Sequence, residues 1–382
     1  MLDKPFVVKY RPVPVKKLLM KMKDEAGLVL DMAFYSLIYE DKDVAQEVER
    51  IDADLDNDFN LLSIQLMVAA RDVEDAEKLL PALRMGMAID WVSEAASDIS
   101  TVVLKGYPVD NVVKAALETT EEVYLRIEVD ERLEGISIAE LKEKYGAIDI
   151  IALRRGGLLI PNPSEDVVLE KGDVIIVRGN RVDVIKLAKD LGMNLVTPDI
   201  NFSDEEREVA TRLALLKNMA EIAFDLAIYS LLYQDHKAAE EVLEIERYMD
   251  EESAKLEVEI MRLIKDKMSV YSASVLTRAL EKVTDAATAM AQLSLSGIEV
   301  HPILKEVTEE GEEKIIVLYV IEDCDLSVTE VEELLDGTVL AIYIENMWIP
   351  MPNGSTKLKK GMKLLLKTFS EPEEMPKCLK EA

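Results

Sequence analysis

Four pairs of acids stand four residues apart: Asp52 with Asp56, Asp90 with Glu94, Glu246 with Asp250, and Glu281 with Asp285. On a helix this spacing puts both carboxylates on one face, and two such helices side by side converge four oxygen ligands. A site made only of carboxylates suits hard divalent cations such as magnesium, calcium or manganese, and can also hold iron. Without a cation, each like-charged pair costs its helix about 0.2–0.5 kcal/mol. With 75 acids in 382 residues, such a pair falls at roughly one position in 25 by chance. Any single pair therefore reads equally well as a solvated acidic face. What distinguishes these four is that they recur at aligned positions, beside small residues (Ala95 and Ala96, Ala286 and Ala287).

The recurrence belongs to a longer repeat. DMAFYSLIYEDKDVAQEVERIDADLD, starting at Asp31, returns as DLAIYSLLYQDHKAAEEVLEIERYMD, starting at Asp225, with 12 of 26 positions identical. A period near 190 residues divides the chain into two copies of one unit. A second candidate site lies in the first copy only. Arg154 and Arg155 end an apolar run and precede Gly156-Gly157, where backbone can approach a ligand closely. Two guanidinium groups there can fork onto a phosphate, with Ile160, Pro161 and Asn162 as the neighbouring loop. The plainer reading is a pair of exposed strand-end charges. In the second copy Tyr343 and Ile344 replace the arginines, Glu345 and Asn346 the glycines, and Met362 replaces Asp173, so a matching anion site is not expected there.

Ordinary catalytic machinery is missing from the sequence. His236 and His301 are the two histidines, and neither stands near a candidate nucleophile. No Gly-x-Gly-x-x-Gly follows a predicted strand, so no NAD site is expected, and no enzyme activity. The formal charge of −30 repels nucleic acid and anionic membrane surfaces and favours cations or basic partners. No apolar stretch approaches a membrane span, and no signal peptide opens the chain. The cysteines, Cys324 and Cys378, read as a lone thiol and a tail residue rather than a disulfide framework, which points to a reducing, cytoplasmic setting.

The elements that must position these residues follow from periodicity. After a Pro-punctuated arm, residues 16–106 are helical throughout, broken near Asp41–Asp43 and again at Asp72–Asp75, giving three antiparallel helices. Ala26, Val29, Ala33 and Ser36 form a small-residue stripe for close helix approach; Met32, Tyr35 and Tyr39 form a bulkier one. The period then shortens: VYLRIEV, IDIIALRR and DVIIVRG read as strands, with ISIAELKEKYG and RVDVIKLAKDLG as helices. TPDINFSDEE links the copies, with Ser203 and Glu206 spaced as a capping box. Trp91 and Trp348 are expected in cores. The fold class is α+β multidomain: helical bundle 1–106, small α/β domain 107–197, bundle 198–297 and small domain 298–382.

These segments resemble known families. The helical unit resembles a PhoU-like three-helix repeat. The segment LEGISIAELKEKYGAIDIIALRRGGLLIPNPSEDVVLEKGDVIIVRG, from Leu133, resembles the TrkA C-terminal (RCK-C) domain of potassium-conductance regulators. It has the Leu-x-Gly start, the Arg-Gly turn, the Ile-Pro-x-Pro loop and the Leu-x-x-Gly-Asp before the last strand. The PhoU resemblance implies that the four acidic pairs hold metal clusters. The RCK-C resemblance implies pairing into a homodimer or higher even-numbered oligomer, and cyclic di-AMP or a cation as regulatory ligand. Together they imply a non-catalytic cytoplasmic regulator acting on the cytoplasmic face of a potassium or other cation transporter or channel, without inserting in the membrane. The alternative is a metal-binding adaptor in phosphate transport signalling.

Overall fold

The computed structural model describes residues 11–193, 202–298, 314–368 and 375–381. His301, the first half of the linker and the first part of the arm lie outside them. Helices α1 (Val15–Tyr39), α2 (Lys42–Ala69) and α3 (Val73–Leu104) form the first bundle; α7 (Asp204–Tyr233), α8 (His236–Leu263) and α9 (Lys267–Leu295) form the second. The helix ends follow local chemistry. Asp41 and Asp235 cap α2 and α8 at equivalent places, and Asp72 caps α3. The predicted Ser203–Glu206 capping box opens α7. Helix α3 buries apolar residues on more than one side because it packs within its own bundle and also against α9. Gly86 belongs to that packing: a Cβ there would collide with the Leu62 side chain of α2.

A short helix that the pattern did not reveal, α4 (Asn111–Glu118), leads from α3 to the first small domain and packs mainly on α7. That domain is β1 (Glu122–Glu128), α5 (Ile138–Tyr145), β2 (Ile148–Arg155), β3 (Leu158–Pro161), β4 (Val174–Asn180) and α6 (Arg181–Asp190). Its strands lie in the order β1-β4-β2-β3, antiparallel throughout. The second small domain repeats this with β5 (Lys314–Val320), α10 (Val328–Leu335), β6 (Gly337–Ile344), β7 (Met347–Pro350) and β8 (Lys363–Thr368). In place of a closing helix it has β9 (Leu379–Glu381), which adds to the outer edge of β5. Cys378, just before β9, forms a disulfide with Cys324. This corrects the expectation of unpaired thiols, and the compartment argument built on it loses its support. The partners are 54 residues apart in sequence, and only the return of the chain along β5 brings them together.

Strand alternation explains how the layers join. On β4, Ile175 and Val177 face a core closed by the domain's own helices, whereas Ile176 and Arg178 face the bundles. On β8, Leu364 and Leu366 face the local core while Leu365 and Lys367 face the bundles. One apolar core therefore runs through both bundles and one face of each sheet, with a small satellite core beyond each sheet. The small-residue stripe is buried in it, as are Met32, Tyr35 and Trp348, whereas Tyr39 stays 39% exposed. Among the described residues no helix is long and apolar enough to cross a membrane.

Candidate functional site

Each acidic pair sits where two helices of a bundle meet. In the first bundle Asp90 is buried, Asp52 half-buried, and Asp56 and Glu94 exposed. Burial pushes Asp90 up to about 7, and Asp56, Glu94 and Asp52 add to it. Its Oδ1 is buried without a hydrogen-bond partner. Asp52 accepts a 2.6 Å bond from the Ser93 hydroxyl. Across the bundle boundary, Lys282 of α9 reaches Glu94 at 2.7 Å and Asp98 at 3.4 Å, so part of this acidic charge is already compensated. In the second bundle burial raises Glu246, Glu281 and Asp285, and neighbouring carboxylates add to the effect. The predicted acids of each bundle are near enough to raise one another, but among the described residues no three of them bring oxygens within 4.8 Å of one another, as a shared ion would need. Carboxylates are the right donor type for a hard cation, and the orphaned Asp90 oxygen is one such donor, although the acids around it do not close to a shared coordination distance.

Arg154 and Arg155 are occupied differently from the phosphate fork foreseen. Arg154 donates from Nη2 to both carboxylate oxygens of Asp41 at 3.0 Å, tying β2 to the cap of α2. Arg155 clamps the buried Asp173 at 2.6–3.2 Å and also donates to the Val168 carbonyl at 2.7 Å. Burial alone would raise Asp173, but the Arg155 bonds and the Glu170 amide hold it below the usual carboxylate range. The two arginines point to different partners. Gly156 and Gly157 supply the two positive φ angles of a two-residue hairpin turn, and Glu345 and Asn346 adopt the same conformation in the second copy. Ile160 and Pro161 lie on edge strand β3, paired with Leu153 and Ala152, rather than in a loop. Asn162, at positive φ, donates its amide to the bulged Ile151 carbonyl.

The second copy keeps the first of these contacts by other means. Lys363 of β8, the cross-strand neighbour of Tyr343, reaches Asp235 at 3.4 Å and lies over the Tyr343 ring. The cation has moved across one strand and still meets the same helix cap. Arg155 and Asp173 are replaced together, as partners in a buried pair must be.

Sequence reasoning missed a charged junction where both bundles and both sheets meet. Asp31 of α1 accepts from Arg178 Nη1 at 2.5 Å and from the Tyr124 hydroxyl at 2.8 Å. Lys367 lies 3.5 Å from Asp225 of α7 and 3.5 Å from Glu122, which is itself 3.8 Å from Arg178. Lys217 pairs with Glu221 at 2.8 Å over the Phe34 ring. Burial pushes Asp31 up, and Arg178 pulls it back. Oxygens of Asp31, Glu122 and Glu221 lie within 4.8 Å of one another. The signal was present: Arg178 is a single charge on the inward face of an apolar strand, Lys367 shares the inward face of β8 with Lys363, and Asp31 and Asp225 open the repeated segment.

Comparison with known proteins places these parts. Residues 123–192 match the TrkA-C domain family, and residues 213–294 match the PhoU domain family. The chain carries a TrkA-C domain and a PhoU domain. The first bundle and the second sheet repeat their architectures. Among solved structures, PhoU from Pseudomonas aeruginosa is similar at 13% identity and a TM-score of 0.40, over 74% of this chain and 93% of that one. The GsuK RCK domain is similar at 12% identity and 0.17, over 69% and 67%. The GsuK channel bound to NAD is similar at 12% and 0.18, over 78% and 64%. Such distant similarity identifies no ligand or partner. No curated protein matches the chain significantly. Both domains found are regulatory ones associated with ion transport or phosphate signalling, and generally non-catalytic.

Proposed function

We propose that this protein is a non-catalytic regulator of a membrane cation transporter, with potassium the first cargo to test, and that its small domains sense a ligand or ion. The observation that carries the reading is one chain holding a TrkA-C domain whose sheet face is packed directly onto PhoU-type helices. The pairs Arg178–Asp31 and Lys367–Asp225 bind sheet to helix on both sides. A shift of either small domain must then move the bundle beneath it, which suits a sensor acting on a partner. The chain works in the cytoplasm at the membrane surface, as a homodimer or higher even-numbered assembly. The test is potassium uptake in a strain lacking the protein, with capture of tagged protein from solubilised membranes. Altered uptake and recovery of a cation transporter are expected; unchanged uptake overturns the reading.

A second reading is favoured by the unpartnered Asp90 oxygen among neighbouring carboxylates. Here the bundles hold divalent metal or iron and the protein is an adaptor of phosphate transport signalling. In the first bundle Asp52, Asp56, Asp90 and Glu94 would hold the ion; in the second, Glu246, Asp250, Glu281 and Asp285. Its test is the manganese response of an Asp90→Asn variant. For cyclic di-AMP, the ion pairs of Arg154 and Arg155 mean that an anion must displace Asp41 or Asp173 to bind there.

A further inference from the structure

Between α7 and the two small domains lies a cavity of about 500 Å3. All three units build its walls: Asn218, Glu221, Ile222 and Asp225 from α7, Glu122 and Arg181 from the first small domain, and Glu332, Val339, Met351 and Lys367 from the second. Its size is that of a small-molecule site and too large for a bare ion, whose ligands must close around it. The polar part of the wall is firmly built, since Glu122, Asn218, Asp225 and Lys367 are each more than nine-tenths buried.

The charge of the wall selects the ligand class. Five acids line it (Glu121, Glu122, Glu221, Asp225 and Glu332) against two bases, Arg181 and Lys367. Both bases are engaged: Lys367 with Asp225 and Glu122, and Arg181 with the Glu118 carbonyl at 2.6 Å. Lys217 compensates Glu221 from outside the wall. Glu332 accepts only the Val339 amide, at 2.9 Å, and burial pushes it up to about 7. Among the described residues neither Glu332 nor Glu121, exposed on the rim, forms an ion pair. An anion would find no uncommitted cation here, whereas a cation would meet two carboxylates able to turn to it. The rest of the wall mixes an apolar patch (Ile222, Val339, Leu340, Met351 and Pro352) with neutral polar groups (Asn180, Asn218, Thr329, Thr338 and Asn353).

We propose that this cavity binds a small organic cation, an amine-bearing metabolite whose charged end is held by Glu121 and Glu332 and whose carbon skeleton lies on Ile222, Val339 and Met351. Bound there, it touches a bundle helix and both small domains at once and favours the arrangement in which the three stay together. The inference deepens the regulatory reading and rests on it for its biological meaning, but not for its test. Full-length protein is titrated calorimetrically with spermidine and with tyramine, at ionic strength matched with potassium chloride. Saturable binding of at least one amine is expected, weakened at least about tenfold in a Glu121→Gln/Glu332→Gln variant. That variant removes like charges and should unfold no earlier than the parent. Absence of saturable binding by either amine overturns the proposal. So does binding that the double variant leaves unchanged, because amines would then be condensing on a surface of net charge −30. No transporter enters the readout, so this failure is separate from failure of the regulatory role.

Discussion

Single carboxylates set the pH response of the first bundle. Asp90 is held at about 7 chiefly by burial, whereas in an unfolded chain an aspartate titrates at about 3.9. Between these values the folded state keeps a proton that the unfolded state has released. Stability therefore falls as pH rises from about 4 to about 7, then levels off. Asp90→Asn removes this slope. It should be more stable than the parent at pH 8 and no different at pH 4, as read by urea unfolding at both values. Manganese at pH 8 should stabilise the parent and do less for the variant; equal stabilisation would sink the metal reading. These acids were legible in the sequence because their spacing recurs at aligned positions. The roles of Arg154 and Arg155 were not, because Asp41 is 113 residues from Arg154 and only the packed sheet joins them. The replacement of Arg155 and Asp173 together in the second copy was the trace of their pairing.

Elements differ in how far composition reveals them. The long helices and the main strands could be read from periodicity and caps, since each has a strong local pattern. Helix α4 spans eight residues without the Ser-x-x-Glu capping box that announces the equally short α5, and β3, at four residues, is too short for a period to register. Strand β9 is shorter still, and its place depends on the disulfide that anchors it. Closing a loop of this length restricts the unfolded chain by about 4 kcal/mol in the chain-entropy account. A Cys324→Ser/Cys378→Ser variant should therefore lose most of that stability in the second small domain. Hydrogen exchange should quicken at Leu379–Glu381 and along the outer edge of β5, while β1–β4 keep their protection. Uniform loosening of both domains would show instead that the bridge supports the whole molecule.

At the scale of the molecule, the charged junction ties together four units that share one apolar core. Removing one partner of a buried ion pair strands the other in a poorly solvated place, at a cost of about 3–5 kcal/mol. Arg178→Met should destabilise the protein by that amount, and adding Asp31→Asn should restore a substantial part of it. Chemical denaturation of the parent, both single variants and the double variant measures the coupling directly. Additive losses would mean that the pair does not act as a unit. The duplicated architecture was legible from the repeat, and so was the alternation of bundles and small domains. The mutual docking was not, because strand alternation tells which residues share a face but not what covers it.

The two-sided packing of α3 also has a bearing on how the chain is made. Its second partner, α9, begins at Lys267, more than 160 residues after α3 ends at Leu104. During synthesis at about 5–20 residues per second, the first bundle emerges with that surface bare for roughly ten seconds or longer. Over that interval a nascent chain can stick to another copy of itself through α3, or be held by a chaperone. Slowing translation between Leu104 and Lys267 should therefore lower the yield of folded protein and raise the aggregated fraction, as read by the soluble share of the product.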